Sequence, residues 1–296
     1  MMAIADRGVG DEGSNMGRAR ARIMAVAVLS LTIVLSACSE DQSAPRQSAS
    51  PASSSNPPES AAPGLSLVAL GDSETTGHGD PSGEGWVGRY AKLLEPEMGT
   101  KVTVTSLAED GLTSDVLVEQ LTSDADAMAA IAAADIIVMG AGGADLNAGD
   151  DHFAAGTCSA EACYKDDLAA FGRNFDAAAV AIAKARAGKP TLFRAITPPN
   201  PLTGAESVIP SFLRPIATRI GVYQAKSIRT SVCSSIRKHR GDCIDVLTAF
   251  NGASGKNDAY KSGLLNLSDC CYPSAKGQQL MAELLIKTGT TPVVLG

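Results

Sequence analysis

Aromatic residues, histidine and basic residues are all scarce in this 296-residue chain, and each scarcity excludes a class of protein. Aromatic residues make up 4% of the chain and hydrophobic residues 45%, so a core must be packed mainly from aliphatic side chains. Only three histidines are present, and the cysteines form no paired Cys-x-x-Cys units, which argues against a structural zinc site. The 25 basic residues are outnumbered by 32 acidic ones, a balance that disfavours nucleic-acid binding.

The apolar run Ile23–Leu35 is too short for a comfortable membrane span. It follows three arginines between positions 18 and 22, which is the layout of a signal peptide. The run ends in Leu35-Ser36-Ala37-Cys38, which resembles the bacterial lipobox, where a peptidase cuts before a diacylated cysteine. We therefore expect lipidation at Cys38. A plain secretory signal with an incidental cysteine is the alternative.

Composition divides the chain into three parts. Residues 1–37 are predicted to be an upstream extension and a lipoprotein signal peptide, residues 38–64 the lipidated cysteine with a tether rich in serine and proline, and residues 65–296 one domain. Removal of residues 1–37 takes away four arginines and three acids, which changes the net charge from −7 to −8. Membrane attachment is therefore expected through acyl chains rather than a basic surface. The predicted location is the cell envelope, on the extracytoplasmic side of the membrane.

The body alternates apolar strands with segments of helical spacing. The predicted strands are Leu65–Leu70, Lys101–Leu107, Ile136–Met139, Thr191–Ile196 and Cys243–Phe250. The predicted helices are Gly85–Leu94, Ser114–Leu121, Asp126–Ala134, Tyr164–Ala187, Pro210–His239 and Ala275–Lys287. Buried-type strands separated by helices predict an α/β fold. We expect a three-layer α/β/α sandwich with a five-stranded parallel sheet, and with loops at the strands' carboxyl ends available for chemistry.

Four short blocks follow one another along this body. They are Gly71-Asp72-Ser73, Gly111, Gly142-Gly143-Ala144-Asp145 and Asp269-Cys270-Cys271-Tyr272-Pro273. In this order they resemble the pattern of the SGNH (GDSL) hydrolase family, over nearly the whole body from about residue 65 to the C terminus. The resemblance implies a flavodoxin-like fold, a serine esterase or lipase activity, and no metal or organic cofactor.

The resemblance also implies roles for individual residues. In such enzymes a serine attacks the acyl carbon, a histidine accepts its proton, and an aspartate three residues before the histidine orients it. By position, Ser73 would be the nucleophile and Asp269 the orienting acid, although Ser73 could also be a simple helix N-cap. Tyr272 stands in place of the histidine. A neutral phenol cannot usefully accept a serine proton at neutral pH.

The family's oxyanion hole combines backbone N–H groups of the serine and the second-block glycine with an asparagine amide. Ser73 and Gly111 fit the first two positions, but Ala144 stands in place of the asparagine and offers no side-chain donor. Loss of one such donor typically costs about 3 kcal/mol of transition-state stabilisation. Asn147 could reach in from three residues further on, although a loop or cap role is the simpler interpretation.

Two other histidines are candidates for a relocated base. His78 lies five residues after Ser73, in a loop at the same sheet edge, and His152 follows the third block. A solvent-exposed loop histidine is the alternative interpretation of each. His239 lies at a helix end away from that edge and is not a candidate.

Six cysteines follow Cys38, an even number that favours disulfides in an exported protein. We expect Cys233 and Cys243 to pair at the edge opposite the active site. The four at the active-site edge are Cys158, Cys163, Cys270 and Cys271. Either the two members of each sequence-neighbour pair bond each other, or two bridges join the two loops. The second arrangement avoids a strained ring between adjacent cysteines and is the one we predict.

Two functional classes follow from these patterns. The leading prediction is a GDSL-type serine esterase or lipase-like protein that acts on an acyl ester, a lipid or an acylated glycan of the envelope or the exterior, with its base lost or moved to His78 or His152. The competing prediction is a non-catalytic lipoprotein that binds a ligand in the hydrolase cleft.

Overall fold

The computed structural model describes residues 64–296, apart from Pro210, Phe212 and Cys270. The predicted signal peptide, Cys38 and nearly all of the tether lie outside the described residues. Within the described part, no helix combines the length and the apolar character that a membrane crossing needs.

A parallel sheet forms the centre of the domain. Its strands are β1 (Leu65–Gly71), β2 (Val102–Ser106), β3 (Ile136–Gly140), β4 (Pro190–Ile196) and β5 (Asp242–Ile244), with a short β6 (Val293–Val294). The first five are parallel in the order β2-β1-β3-β4-β5, which confirms the predicted class. β6 pairs antiparallel with β4. The sequence does not predict this strand, because two apolar residues carry no periodicity.

Helices connect the strands and cover both faces of the sheet. They are α1 (Ser73–Thr76), α2 (Gly85–Met98), α3 (Ser114–Ser123), α4 (Ala125–Ala133), α5 (Asn147–Ala154), α6 (Lys165–Ala185), α7 (Ala217–Lys238), α8 (Val246–Asn251) and α9 (Ala275–Ile286). Alternate strand residues face opposite layers. Leu70, Ile137 and Met139 pack with α3, α4, α6 and α7, while Ala69 and Val138 pack with α2, α8 and α9. The inner strands β1 and β3 are therefore apolar on both sides, as parallel strands covered by helices must be, whereas the edge strand β2 is largely exposed.

The fifth strand ends earlier than predicted. β5 stops at Ile244, and the residues from Val246 to Asn251 are helical. The reason is a polar cap, because the Asp245 side chain accepts a hydrogen bond from the Thr248 N–H at 3.0 Å. An apolar run alone does not show where the strand ends and the helix begins.

The prediction of a helix from Pro210 is also wrong at its start. α7 begins at Ala217, just after Pro215, which lacks a backbone donor and disfavours helical geometry in the residue before it. The described part of the segment 197–216 is consequently a loop at the carboxyl end of β4. It carries Pro198, Pro199 and Pro201 to the wall of the cavity described below.

One predicted disulfide lies at the opposite edge of the sheet. Cys233, late in α7, bonds Cys243 in β5. This pairing is confirmed, and it joins the end of the helix to the strand that follows it.

Candidate active site

A cavity of about 470 Å³ opens at the carboxyl ends of the parallel strands, which is where α/β sheets place their ligands. Ser73, Gly111 and Ala144 all line it, as the sequence predicts. His78 and Tyr272 lie in the same wall. The topology therefore brings all four sequence blocks to one site.

Ser73 is positioned by a sharp turn at the end of β1. Gly71 has a φ of +136°, and a Cβ atom there would lie 1.7 Å from the carbonyl oxygen of Gly140, so only glycine fits. The next N–H, that of Asp72, donates to the same oxygen at 3.1 Å. α1 then begins, with Asp72 as its N-cap. The interpretation of Ser73 as an N-cap is therefore wrong, and Ser73 is the first helical residue.

Asp72 fastens this turn to the third block. Its Oδ2 accepts hydrogen bonds from the N–H groups of Gly142 and Gly143, both at 3.1 Å, and its Oδ1 accepts one from Glu74 N–H at 3.1 Å. Burial raises the pKa of Asp72 to about 6, against the opposing effect of these three donors. The role of Asp72 could not be predicted from the sequence, because Gly142 and Gly143 lie about seventy residues away.

The structure brings His78 into the site between two carboxylates. Its Nδ1 lies 3.4 Å from Asp110 Oδ2, and its Nε2 lies 3.5 Å from Asp269 Oδ2. The imidazole also packs against Tyr272, with ring centroids 4.2 Å apart. The His78 imidazole thus lies beside position 272, where the family pattern has its histidine.

The other two histidines are placed elsewhere. His152 lies on α5, where its Nδ1 is 3.3 Å from the Thr157 hydroxyl oxygen, and it does not line the cavity. His239 follows α7 and its Nδ1 contacts the Gly296 carbonyl oxygen.

Hydrogen bonds from distant elements hold the His78 loop in place. Gln278 of α9 is fully buried, and its amide donates to the His78 carbonyl oxygen at 3.2 Å. Asn266 donates to the carbonyl oxygen of Gly79 at 2.8 Å. A Cβ atom at Gly79 would lie 2.7 Å from the Cβ of Tyr272, so the absence of a side chain there allows the two loops to touch. His78 is therefore positioned by residues that lie almost two hundred positions later in the chain.

Only some of the residues expected in the oxyanion hole offer a hydrogen-bond donor. Gly111 has a φ of +77° and lines the cavity. Ala144 opens a short 3-10 helix, Ala144–Leu146, and Asn147 directly after it also lines the cavity. Asp145 instead accepts a hydrogen bond from Ser114 N–H at 3.1 Å, which ties the third block to α3.

Residues 67–285 match the family described as GDSL-like Lipase/Acylhydrolase. The chain belongs to this family. Among curated proteins no relative matches the sequence.

Solved structures agree with the GDSL assignment at the level of the fold. The lipase Lip_vut3 from a goat rumen metagenome is 21% identical, with a TM-score of 0.62 over 76% of this chain and 97% of its own. An extracellular lipase from Streptomyces rimosus is 17% identical, with a TM-score of 0.55 over 76% of this chain and 100% of its own. A catalytic mutant of the acetylxylan esterase Axe2 from Geobacillus stearothermophilus is 16% identical, with a TM-score of 0.53 over 76% and 93%.

Asp269 contacts a different residue from the one that the GDSL pattern assigns to it. The family pattern places the histidine that Asp269 would orient at position 272, where this chain has tyrosine, and the Asp269 carboxylate lies 3.5 Å from His78 Nε2. The sequence signal for His78 was its closeness to Ser73 along the chain. The contact with Asp269 could not be read from sequence, because it depends on the packing of two loops.

The disulfide prediction for this edge is wrong. Cys158 bonds Cys163, so the two cysteines are not available for bridges to the loop that contains Tyr272. They follow the end of α5, where a local reversal of the chain brings their Cα atoms within 5.3 Å. Cys271 is also disulfide-bonded, and Cys270 lies outside the described residues.

Replacing Asp72 should change how stability depends on pH. Because the folded state raises this pKa from 3.8 to about 6, the native protein holds the proton more tightly than the unfolded chain, and this carboxyl contributes less stability as pH rises from 4 to 7. Asp72→Asn cannot titrate. We expect the free energy of unfolding of the variant, relative to wild type, to rise by about 2 kcal/mol over that range.

Urea denaturation at pH 4, 5, 6 and 7 measures this difference. Only the trend with pH is diagnostic, because the variant also loses part of the hydrogen bonding to Gly142 and Gly143. A difference that stays constant across the four values would show that the Asp72 carboxyl titrates normally.

Proposed function

We propose that this protein is a serine ester hydrolase in which His78 replaces the histidine missing at position 272. The observation that carries the proposal is the placement of the His78 ring between Asp110 and Asp269, on the cavity wall that also holds Ser73. Asp269 keeps the orienting role that the GDSL pattern gives it but acts on a different histidine.

The proposed reaction follows the usual two steps of acyl transfer. The Ser73 oxygen attacks the ester carbonyl carbon while His78 takes the hydroxyl proton, and the same proton then goes to the departing alcohol. Water, activated by His78, hydrolyses the acyl-serine and restores the hydroxyl. The two carboxylates stabilise the imidazolium formed in each step. For a ring nitrogen to face Ser73, His78 must give up its contact with one of the two carboxylates. The separations of 3.4 Å to Asp110 and 3.5 Å to Asp269 are long enough to allow this.

Stabilisation of the oxyanion would rest on backbone donors. The N–H groups of Ser73 and Gly111 are the expected pair, and Asn147 offers a side-chain amide among the residues that line the cavity. With Ala144 in place of asparagine, we expect turnover at least about a hundredfold below that of a site with all three donors.

The cavity supports an acyl ester, a lipid or an acylated glycan as substrate. Its inner walls include Leu146, Pro201 and Ile228, which suit an acyl chain. The structural relatives include two lipases and an acetylxylan esterase, which supports an ester bond as the target.

We also propose that Cys38 is lipidated and anchors the protein to the outer side of a membrane. The lipobox-like sequence supports this location, and so do the disulfides of the body, since disulfides persist in oxidising compartments. Cys38→Ala should move the protein from the membrane pellet to the supernatant of fractionated cells. Full retention in the pellet would contradict the anchor.

Removing the His78 imidazole should abolish most turnover. We expect His78→Ala to lower kcat/KM for p-nitrophenyl butyrate by at least about 10³-fold, because loss of the base of a catalytic unit removes most of its rate enhancement. His152→Ala is the matched control and should keep the wild-type rate, since His152 does not line the cavity. Added imidazole should partly restore His78→Ala.

Ser73→Ala sets the background for that assay. An equal loss in both histidine variants would contradict the role of His78. A wild-type rate no higher than that of Ser73→Ala would overturn the hydrolase proposal and favour a protein that only binds a ligand in this cleft.

A further inference from the structure

Glu74 is a cavity residue that the proposed reaction does not use. It follows Ser73 in α1 and lines the same cavity. The indole N–H of Trp86 donates to its carbonyl oxygen at 2.9 Å, which fixes the point where its side chain begins. Its carboxyl oxygen Oε1 is enclosed and has no hydrogen-bond partner among the residues that the structure describes.

A buried carboxyl without a partner is unfavourable in its ionised form. Burial raises the pKa of Glu74 well above its usual range, and repulsion from Asp72 raises it further. A positive charge placed beside such a group lowers its pKa and releases its proton to solvent. A cation that approached this carboxyl from the cavity would therefore stabilise its ionised form.

The charges on the cavity wall have one sign. Its lining contains three carboxyl residues, namely Asp72, Glu74 and Asp110, and neither lysine nor arginine occurs among the described lining residues. His78 is the basic group there, and its second nitrogen faces the further carboxylate of Asp269. Such a lining attracts cations and repels anions.

The alcohol part of the substrate lies on this acidic side. A histidine that returns its proton to the leaving alcohol must lie next to it, so the alcohol lies near His78 and the carboxylates beside the ring. Tyr272 adds an aromatic ring to this region, and aromatic rings favour quaternary ammonium groups. The apolar residues Leu146 and Ile228 remain for the acyl chain.

We propose that the cavity selects esters whose alcohol part carries a positive charge, such as a quaternary ammonium group, and that Glu74 determines this selectivity. The proposal rests on the ester hydrolase function proposed above. It adds the chemical class of the alcohol.

The test compares two esters of the same shape, butyrylcholine and 3,3-dimethylbutyl butyrate, which differ by a charged nitrogen in place of a neutral carbon. With the wild-type mature protein at low ionic strength, kcat/KM should be at least about tenfold higher for the choline ester.

The isosteric variant Glu74→Gln should reduce this ratio to near one. Glu109→Gln is the matched control, because it removes the same charge close to the site from a residue that does not line the cavity. It should keep the wild-type ratio. A wild-type ratio of one or less, or an unchanged ratio in Glu74→Gln, would overturn the proposal.

Failure of the hydrolase proposal would be distinguishable from failure of this one. If neither ester is hydrolysed, calorimetry with choline chloride tests the selectivity directly on the wild type and Glu74→Gln. Choline binding that weakens at least about fivefold in Glu74→Gln would support it. Equal affinities, or no binding at 10 mM choline, would overturn it.

Discussion

The buried carboxylate of Asp72 is the interaction on which the site depends. It lies where β1 and β3 end side by side, and it holds the N–H groups of Gly142 and Gly143 against the turn that presents Ser73. The close approach of Gly71 to Gly140 leaves no room for a side chain there. The same burial that makes this carboxylate a rigid connector raises its pKa, and burial of Glu74, together with the negative charge of Asp72, raises the pKa of Glu74. Position and electrostatics of the cavity thus have a common origin.

The position of His78 shows how a base can come from a different loop while the acid stays. Gln278 binds both the His78 carbonyl oxygen and the N–H of Trp86 at the start of α2, so α9 fixes the loop between α1 and α2. The resulting loop contact places the imidazole beside Tyr272 and Asp269. In this account a catalytic histidine is defined by its neighbours in space, and its place in the sequence block is secondary.

The sequence was sufficient for the fold and for the residues nearest the strands. Continuous apolar runs such as Ile136–Met139 predict buried parallel strands, and Ser73 follows from the strand-to-turn pattern. Contacts between distant loops could not be predicted from the sequence. They include the contact of Asp269 with His78 and the hydrogen bonds of Asp72 with Gly142 and Gly143. The pairing of Cys158 with Cys163 was the alternative to the predicted bridges, and local loop geometry decided for it. The end of β5 was missed because one capping aspartate outweighs an apolar run.

Covalent labelling of Ser73 by a fluorophosphonate tests the central claim most directly, since the reagent reacts with a serine only when a neighbouring base activates its hydroxyl. Intact mass and peptide mapping of the mature protein should show one added probe on Ser73, formed at least about 10³-fold faster in the wild type than in His78→Ala. No labelling of the wild type, or equal rates in the two proteins, would contradict the assignment of His78 as the base.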